Sequence, residues 1–77
     1  MESVSHAQLE FAIGSKVIIE FYGDGYGKNV RARYSTEEGV EHGYTVTIGM
    51  KRRSDGKPHT VESAIVECLQ TLLENCT

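Results

Sequence analysis

Apolar positions along this chain change their period once. Up to residue 51 they alternate with polar positions, as on strands whose successive side chains point to opposite faces. From Thr60 to Cys76 they recur at spacings of three and four instead. Val61, Ala64, Ile65, Cys68, Leu69, Leu72 and Cys76 then form one stripe on a 3.6-residue helix. Thr60 is placed to cap that helix, and Glu62 falls in its first turn, where a negative charge is favoured.

Lys16 to Gly23 is the clearest strand, rich in β-branched and aromatic residues. Val17, Ile19 and Phe21 face one way there, and Ile18, Glu20 and Tyr22 the other. After Gly23-Asp-Gly-Tyr-Gly, Lys28 to Tyr34 alternates Val30, Ala32 and Tyr34 against Asn29, Arg31 and Arg33. Tyr44 to Lys51 alternates Tyr44, Val46, Ile48 and Met50 against Thr45, Thr47, Gly49 and Lys51. Ser35 to Gly43, with Glu37, Glu38 and Glu41, and Arg52 to His59, with Ser-Asp-Gly and Pro58, are polar connections.

Gln8 to Ile13 admits two readings. Leu9, Phe11 and Ile13 alternate with Gln8, Glu10 and Ala12 as in a strand, and Gly14-Ser15 suits a two-residue type II′ hairpin turn. Alternatively, Ser5 caps a short helix with Leu9, Ala12 and Ile13 on one side, ended by Gly14. The turn favours the strand. The expected fold is therefore α+β, a four-stranded antiparallel β-meander with one C-terminal α-helix packed on one face; the alternative order is α-β-β-β-α. The expected core joins the helix stripe to Leu9/Phe11/Ile13, Val17/Ile19/Phe21, Val30/Ala32/Tyr34 and Tyr44/Val46/Ile48. Residues 1–6 are polar and expected to fray.

Composition narrows the function. The 77 residues make one small domain, 1–77, with no room for a second core. Eight basic against 11 acidic residues oppose non-specific nucleic-acid binding by the molecule as a whole. All the basic residues lie between Lys16 and Lys57, however, so a net-acidic chain can still carry one basic face. Cys68 and Cys76 are separated by about 12 Å of helix rise, too far for a disulfide. With no disulfide framework, a reducing, cytoplasmic setting is expected. No signal-like or membrane-spanning apolar run is present.

One helix covers one face of the sheet, so the second face meets solvent or a partner. By parity that face carries Gln8, Glu10, Ile18, Glu20, Tyr22, Arg31, Arg33, Thr45, Thr47 and Lys51. Ile18, Tyr22, Arg31, Arg33 and Lys51 are the candidate partner-binding residues, since Tyr and Arg are frequent interface anchors. A solvated face with a few tolerated hydrophobes accounts for the same pattern. Lys51-Arg52-Arg53 and Lys57 flank the helix start, where phosphate binds well, and equally suit a solvated loop that stops strand pairing. A nucleic-acid-binding alternative uses Lys28, Arg31, Arg33, Lys51, Arg52 and Arg53, with Tyr22 and Tyr26 nearby.

Other chemistry finds little support. Gly23-x-Gly-x-Gly is followed by a strand pattern rather than a helix, so it reads as a hairpin loop and not a phosphate loop. Asp24 lacks the companion carboxylates of a calcium loop. His6, His42 and His59 fall in three segments with no metal-ligand spacing, and Cys68 lies two turns into the helix, away from the end that activates a thiol. No Ser-His-Asp set or carboxylate pair is suggested. No metal, no cofactor and no enzymatic activity are expected.

Three likenesses bear on function. Gly43-Tyr-Thr-Val-Thr-Ile, then Thr60-Val-Glu-Ser-Ala and a Leu-rich helix, resembles the ββ-α end of HicB-type antitoxins over the last half of the chain. Met50-Lys-Arg-Arg-Ser-Asp stands where that family has a Pro- and Cys-containing connection. With a helical first segment, the α-β-β-β-α order resembles a double-stranded-RNA-binding domain. That family presents lysines at the start of its last helix, where this chain reads Thr60-Val-Glu-Ser-Ala. By size, acidity and lack of a catalytic set, the chain is similar to small inhibitors and regulators of phages and mobile elements, anti-CRISPR proteins among them, a likeness of class only. The expected function is a small non-enzymatic protein-binding inhibitor or regulator acting on a host complex. A homodimer through a sheet edge or the open sheet face is a further expectation, and no membrane partner is expected.

Overall fold

The computed structural model describes residues 5–25, 27–52 and 55–76, with the backbone alone for Asp24 and Cys76. The elements are α1 (His6–Ile13), β1 (Ile18–Asp24), β2 (Gly27–Ser35), β3 (Glu41–Thr47) and α2 (Val61–Cys76). The three strands form one antiparallel sheet in the order β1-β2-β3. α2 packs on β2 and β3, and α1 packs alongside α2.

The first segment is thus a helix, and the four-stranded meander gives way to a three-stranded sheet in an α+β fold. Local hydrogen bonding explains the change. Ser5 Oγ accepts the Gln8 N–H at 3.1 Å while Gln8 Oε1 accepts the Ser5 N–H at 2.9 Å, a reciprocal capping box. At the other end Gly14 adopts φ 72° and donates its N–H to the Glu10 carbonyl at 2.9 Å. Gly14 therefore stops a helix where a hairpin turn was expected. Leu9 and Ile13 are four residues apart, so their burial suits a helix as well as a strand. Phe11 distinguishes the two: it is 91% exposed, not part of the core.

The core closes around Leu9, Val17, Val30, Ala32, Tyr34 and Val46 beneath Ala64, Cys68, Leu69 and Leu72 of α2. At the start of the α2 stripe Val61 is exposed, and the side chain of Cys76 lies outside the description, as do residues 1–4. Phe21 has the parity of Val17 and Ile19 but is 59% exposed. The helix layer is centred over β2 and β3, so the far half of β1 has no helix above it.

β3 begins earlier than its apolar alternation implied and also ends earlier. After Thr47 the chain turns through Ile48 and Gly49, the latter at φ 95°, and the Met50 N–H bonds the Thr47 carbonyl at 3.3 Å. Met50 and Lys51 therefore leave the sheet. Lys51 bridges to Pro58, and His59 exchanges backbone bonds with Gly49 and Met50 at 3.0 and 2.8 Å. These bonds return the chain to the sheet just before α2.

The burial contrast on α1 gives a direct test. Leu9→Ala should cost about 2–5 kcal/mol in urea unfolding, whereas Phe11→Ala should stay within about 0.5 kcal/mol. A four-stranded sheet with Phe11 in its core would make both changes costly.

Candidate protein-binding face

Strand register arranges the helix-free face in three rows. They are Ile18–Arg33–Gly43, Glu20–Arg31–Thr45 and Tyr22–Asn29–Thr47, reading from β1 to β3. Four of the expected partner-binding residues, Ile18, Tyr22, Arg31 and Arg33, thus share one face. Lys51 stands apart in the connection to α2. Gln8 and Glu10, expected on this face, belong to α1.

Each arginine on the face has its own carboxylate. Arg33 Nε donates to Glu20 Oε1 at 2.7 Å, and Arg31 Nη2 to Glu41 Oε1 at 3.4 Å. The hydrogen bond to Glu20, reinforced by its charge, holds the Arg33 guanidinium above its ordinary value. The Arg31 guanidinium lies close over Gly43. A Cβ there would stand 3.2 Å from both Nε and Nη2 of Arg31, a tight contact that would push the guanidinium by a few tenths of an ångström. In the third row Thr47 Oγ1 donates to Oδ1 of the buried Asn29 at 2.7 Å. Along β1, by contrast, Ile18 and Tyr22 are 46% and 43% exposed. The face therefore carries exposed apolar and aromatic positions at Ile18 and Tyr22 on β1 and self-neutralised charge pairs that run across all three strands.

The basic set of the nucleic-acid reading is not gathered on this face. Lys28 has the parity of Val30 and Ala32 and so belongs to the helix side of the sheet. Arg52 is bound within its own loop to Asp55 at 2.9 Å. Arg53 and Tyr26 lie outside the described residues.

A second constellation was not anticipated. The ring of buried His59 lies 3.1 Å from Ser63 Oγ through Nδ1 and 3.1 Å from Glu67 Oε2 through Nε2. Spacing of four along the start of α2 was its only sequence signal. The connectivity follows the order of a Ser-His-acid set, but with the ring reversed from a catalytic triad, Ser63 on Nδ1 and the acid on Nε2, and the Ser63 oxygen also serves the helix cap. It accepts the Thr60 N–H at 2.8 Å, and Thr60 Oγ1 accepts the Ser63 N–H at 3.2 Å, which caps α2 reciprocally. His59 thereby locks the cap to the middle of the helix. A cavity of about 180 Å³ opens beside it between β3 and the following loop, lined in part by Thr45, Thr47, Met50, Lys51, His59 and Glu67.

Among the described residues no group of three or more His, Cys, Asp and Glu side chains is placed to hold a metal, and no helix is long and apolar enough to cross a membrane. No family model matches the chain, and neither a curated protein nor a solved structure does.

Cys68 is fully buried, and burial pushes its thiol up to about 11. Because the folded value lies above that of the unfolded thiol, its contribution to stability is complete below about pH 9. It is lost as pH rises toward about 11, a loss on the order of 2–3 kcal/mol. Unfolding measured from pH 8 to 11 should show a shallower alkaline decline for Cys68→Ala than for the parent chain.

Proposed function

We propose that the protein acts by binding another protein through the bare sheet face, as a small non-enzymatic inhibitor or regulator. The pairing of both face arginines with carboxylates carries this reading. Phosphate binding draws its free energy from cations that release counter-ions, and Arg33 and Arg31 would first have to give up Glu20 and Glu41. A protein surface of matched polarity can accept such pairs at the rim while Ile18 and Tyr22 supply apolar and aromatic contact. The most concrete form is an inhibitor of a host complex, of the kind carried by phages and mobile elements, resembling anti-CRISPR proteins in size and composition. If the target handles nucleic acid, the net charge of -3 suits its basic groove. With a partner captured from the native host, Tyr22→Ala and Arg31→Ala should each weaken binding about tenfold or more with unchanged circular dichroism. Unchanged binding by both variants rejects this face.

Element order favours a second reading, direct nucleic-acid binding, because α-β-β-β-α is the order of double-stranded-RNA-binding domains. The residues opposing it are those at the start of α2, where Thr60 caps the helix and Glu62 places a negative charge in the first turn. A salt titration against random oligonucleotides separates the two. The protein-binding reading expects no binding at low ionic strength; binding whose logarithm falls steeply with log salt supports the nucleic-acid reading instead.

A further inference from the structure

β1 is an edge strand on which Ile18, Phe21 and Tyr22 are exposed. A bond from the Ile48 N–H to the Lys28 carbonyl at 2.8 Å sets the ladder phase between β2 and β3. Carried across the register, that phase turns the backbone groups of Ile18, Glu20 and Tyr22 toward β2. Those of Val17, Ile19, Phe21 and Gly23 turn outward. The outermost position at the start is closed: Glu10 Oε2 accepts the Val17 N–H at 2.8 Å, and His6 Nε2 donates to the Val17 carbonyl. Side chains of α1 thus take the place of a neighbouring strand at Val17. Beyond it the strand has neither lysine nor proline, the usual protections of an edge, and its Glu20 is held by Arg33.

We infer that this edge pairs with the same edge of a second copy, antiparallel across a two-fold axis at Phe21. Ladder phase, length and charge select that arrangement together. Only registers that oppose outward-facing residues can form a ladder. A two-fold at Phe21 pairs Ile19 with Gly23 and Phe21 with itself, uses the whole of Ile18–Asp24, and stops short of the capped Val17. Shifting the axis by one residue toward the start sets Glu20 against Glu20. This opposes like charges, which destabilises a strand pair. Shifting it one residue the other way leaves Ile18 and Ile19 with no residue of β1 opposite them. The Phe21 register sets Glu20 against Tyr22, whose hydroxyl is a donor, and Ile18 against Asp24. It also brings the two Phe21 rings, 59% exposed in one chain, to the axis. The result is a continuous six-stranded sheet whose helix-free face carries both copies of Ile18 and Tyr22. A two-fold contact of this kind is closed and self-complementary.

Light scattering with concentration and disulfide trapping test the inference. The parent chain should rise with concentration toward twice the 8.5 kDa of one chain. Phe21→Lys and Phe21→Pro should remain at one-chain mass with unchanged circular dichroism, because the Phe21 N–H is not spent inside the sheet. In a Cys76→Ser background, Phe21→Cys should cross-link under mild oxidation, since paired backbones across an antiparallel ladder stand about 5.5 Å apart. Ile18→Cys should not, because the two copies of that residue lie at opposite ends. A chain that stays monomeric at all concentrations overturns the inference, including one whose edge captures an extended peptide of another protein. So do dimers that persist in both Phe21 variants, which place the contact elsewhere, and equal cross-linking of the two cysteine variants, which refutes the register.

Discussion

Close approach of α2 to the seam between β2 and β3 governs the rest of this structure. Ala64 and Cys68 sit at the contact, where small side chains let the helix axis come near the sheet. The buried Cys68 thiol points its hydrogen at the Val30 and Tyr44 carbonyls, at 3.6 and 3.5 Å, one on each of the two strands. A helix centred there cannot also cover β1. α1 fills the remaining space beside α2 with Leu9, and the outer half of β1 lies beyond both helices. Phe21, on that outer half, is exposed.

The helix-free face is shaped by the opposite need, since its polar groups must be satisfied without a second layer. Diagonal pairs do this: Glu20 with Arg33 across β1 and β2, Glu41 with Arg31 across β2 and β3. Pairs this exposed contribute little to stability. Their consequence is electrostatic, because two cations that parity alone offers to phosphate are already matched. The same economy governs the edges. α1 supplies His6 and Glu10 to close one step of β1, while the loop after β3 folds back through Gly49, Met50 and His59.

Legibility in the sequence followed the number of residues that voted for each element. The 16 residues of α2 keep one period throughout and carry a cap at Thr60, so their assignment needed no tertiary help. The alternation of β1 and β2 was equally plain, and it set which side chains share a face. Six residues at Gln8–Ile13 could not separate two periods, because Leu9 and Ile13 satisfy both; the Ser5–Gln8 capping box decided it, and its pattern was present to be read. Gly49 likewise marked the end of β3, although the apolar alternation ran past it to Met50. His59, Ser63 and Glu67 stood at helical spacing. Only the return of the loop through Met50 buries His59 between them.

By itself, then, the sequence determined the secondary elements from β1 onward, the parity that sorts Ile18, Tyr22, Arg31 and Arg33 onto one face, and the stripe that buries Cys68. Periodicity and capping are local, and each is written within a few neighbouring residues. Tertiary structure alone decided which apolar residues are covered, which arginines are neutralised and which strand edge remains open. Coverage depends on where a helix of given side-chain size comes to rest over the sheet. Phe21 and Val17 have the same parity, and only the position of α2 and α1 makes one exposed and the other core.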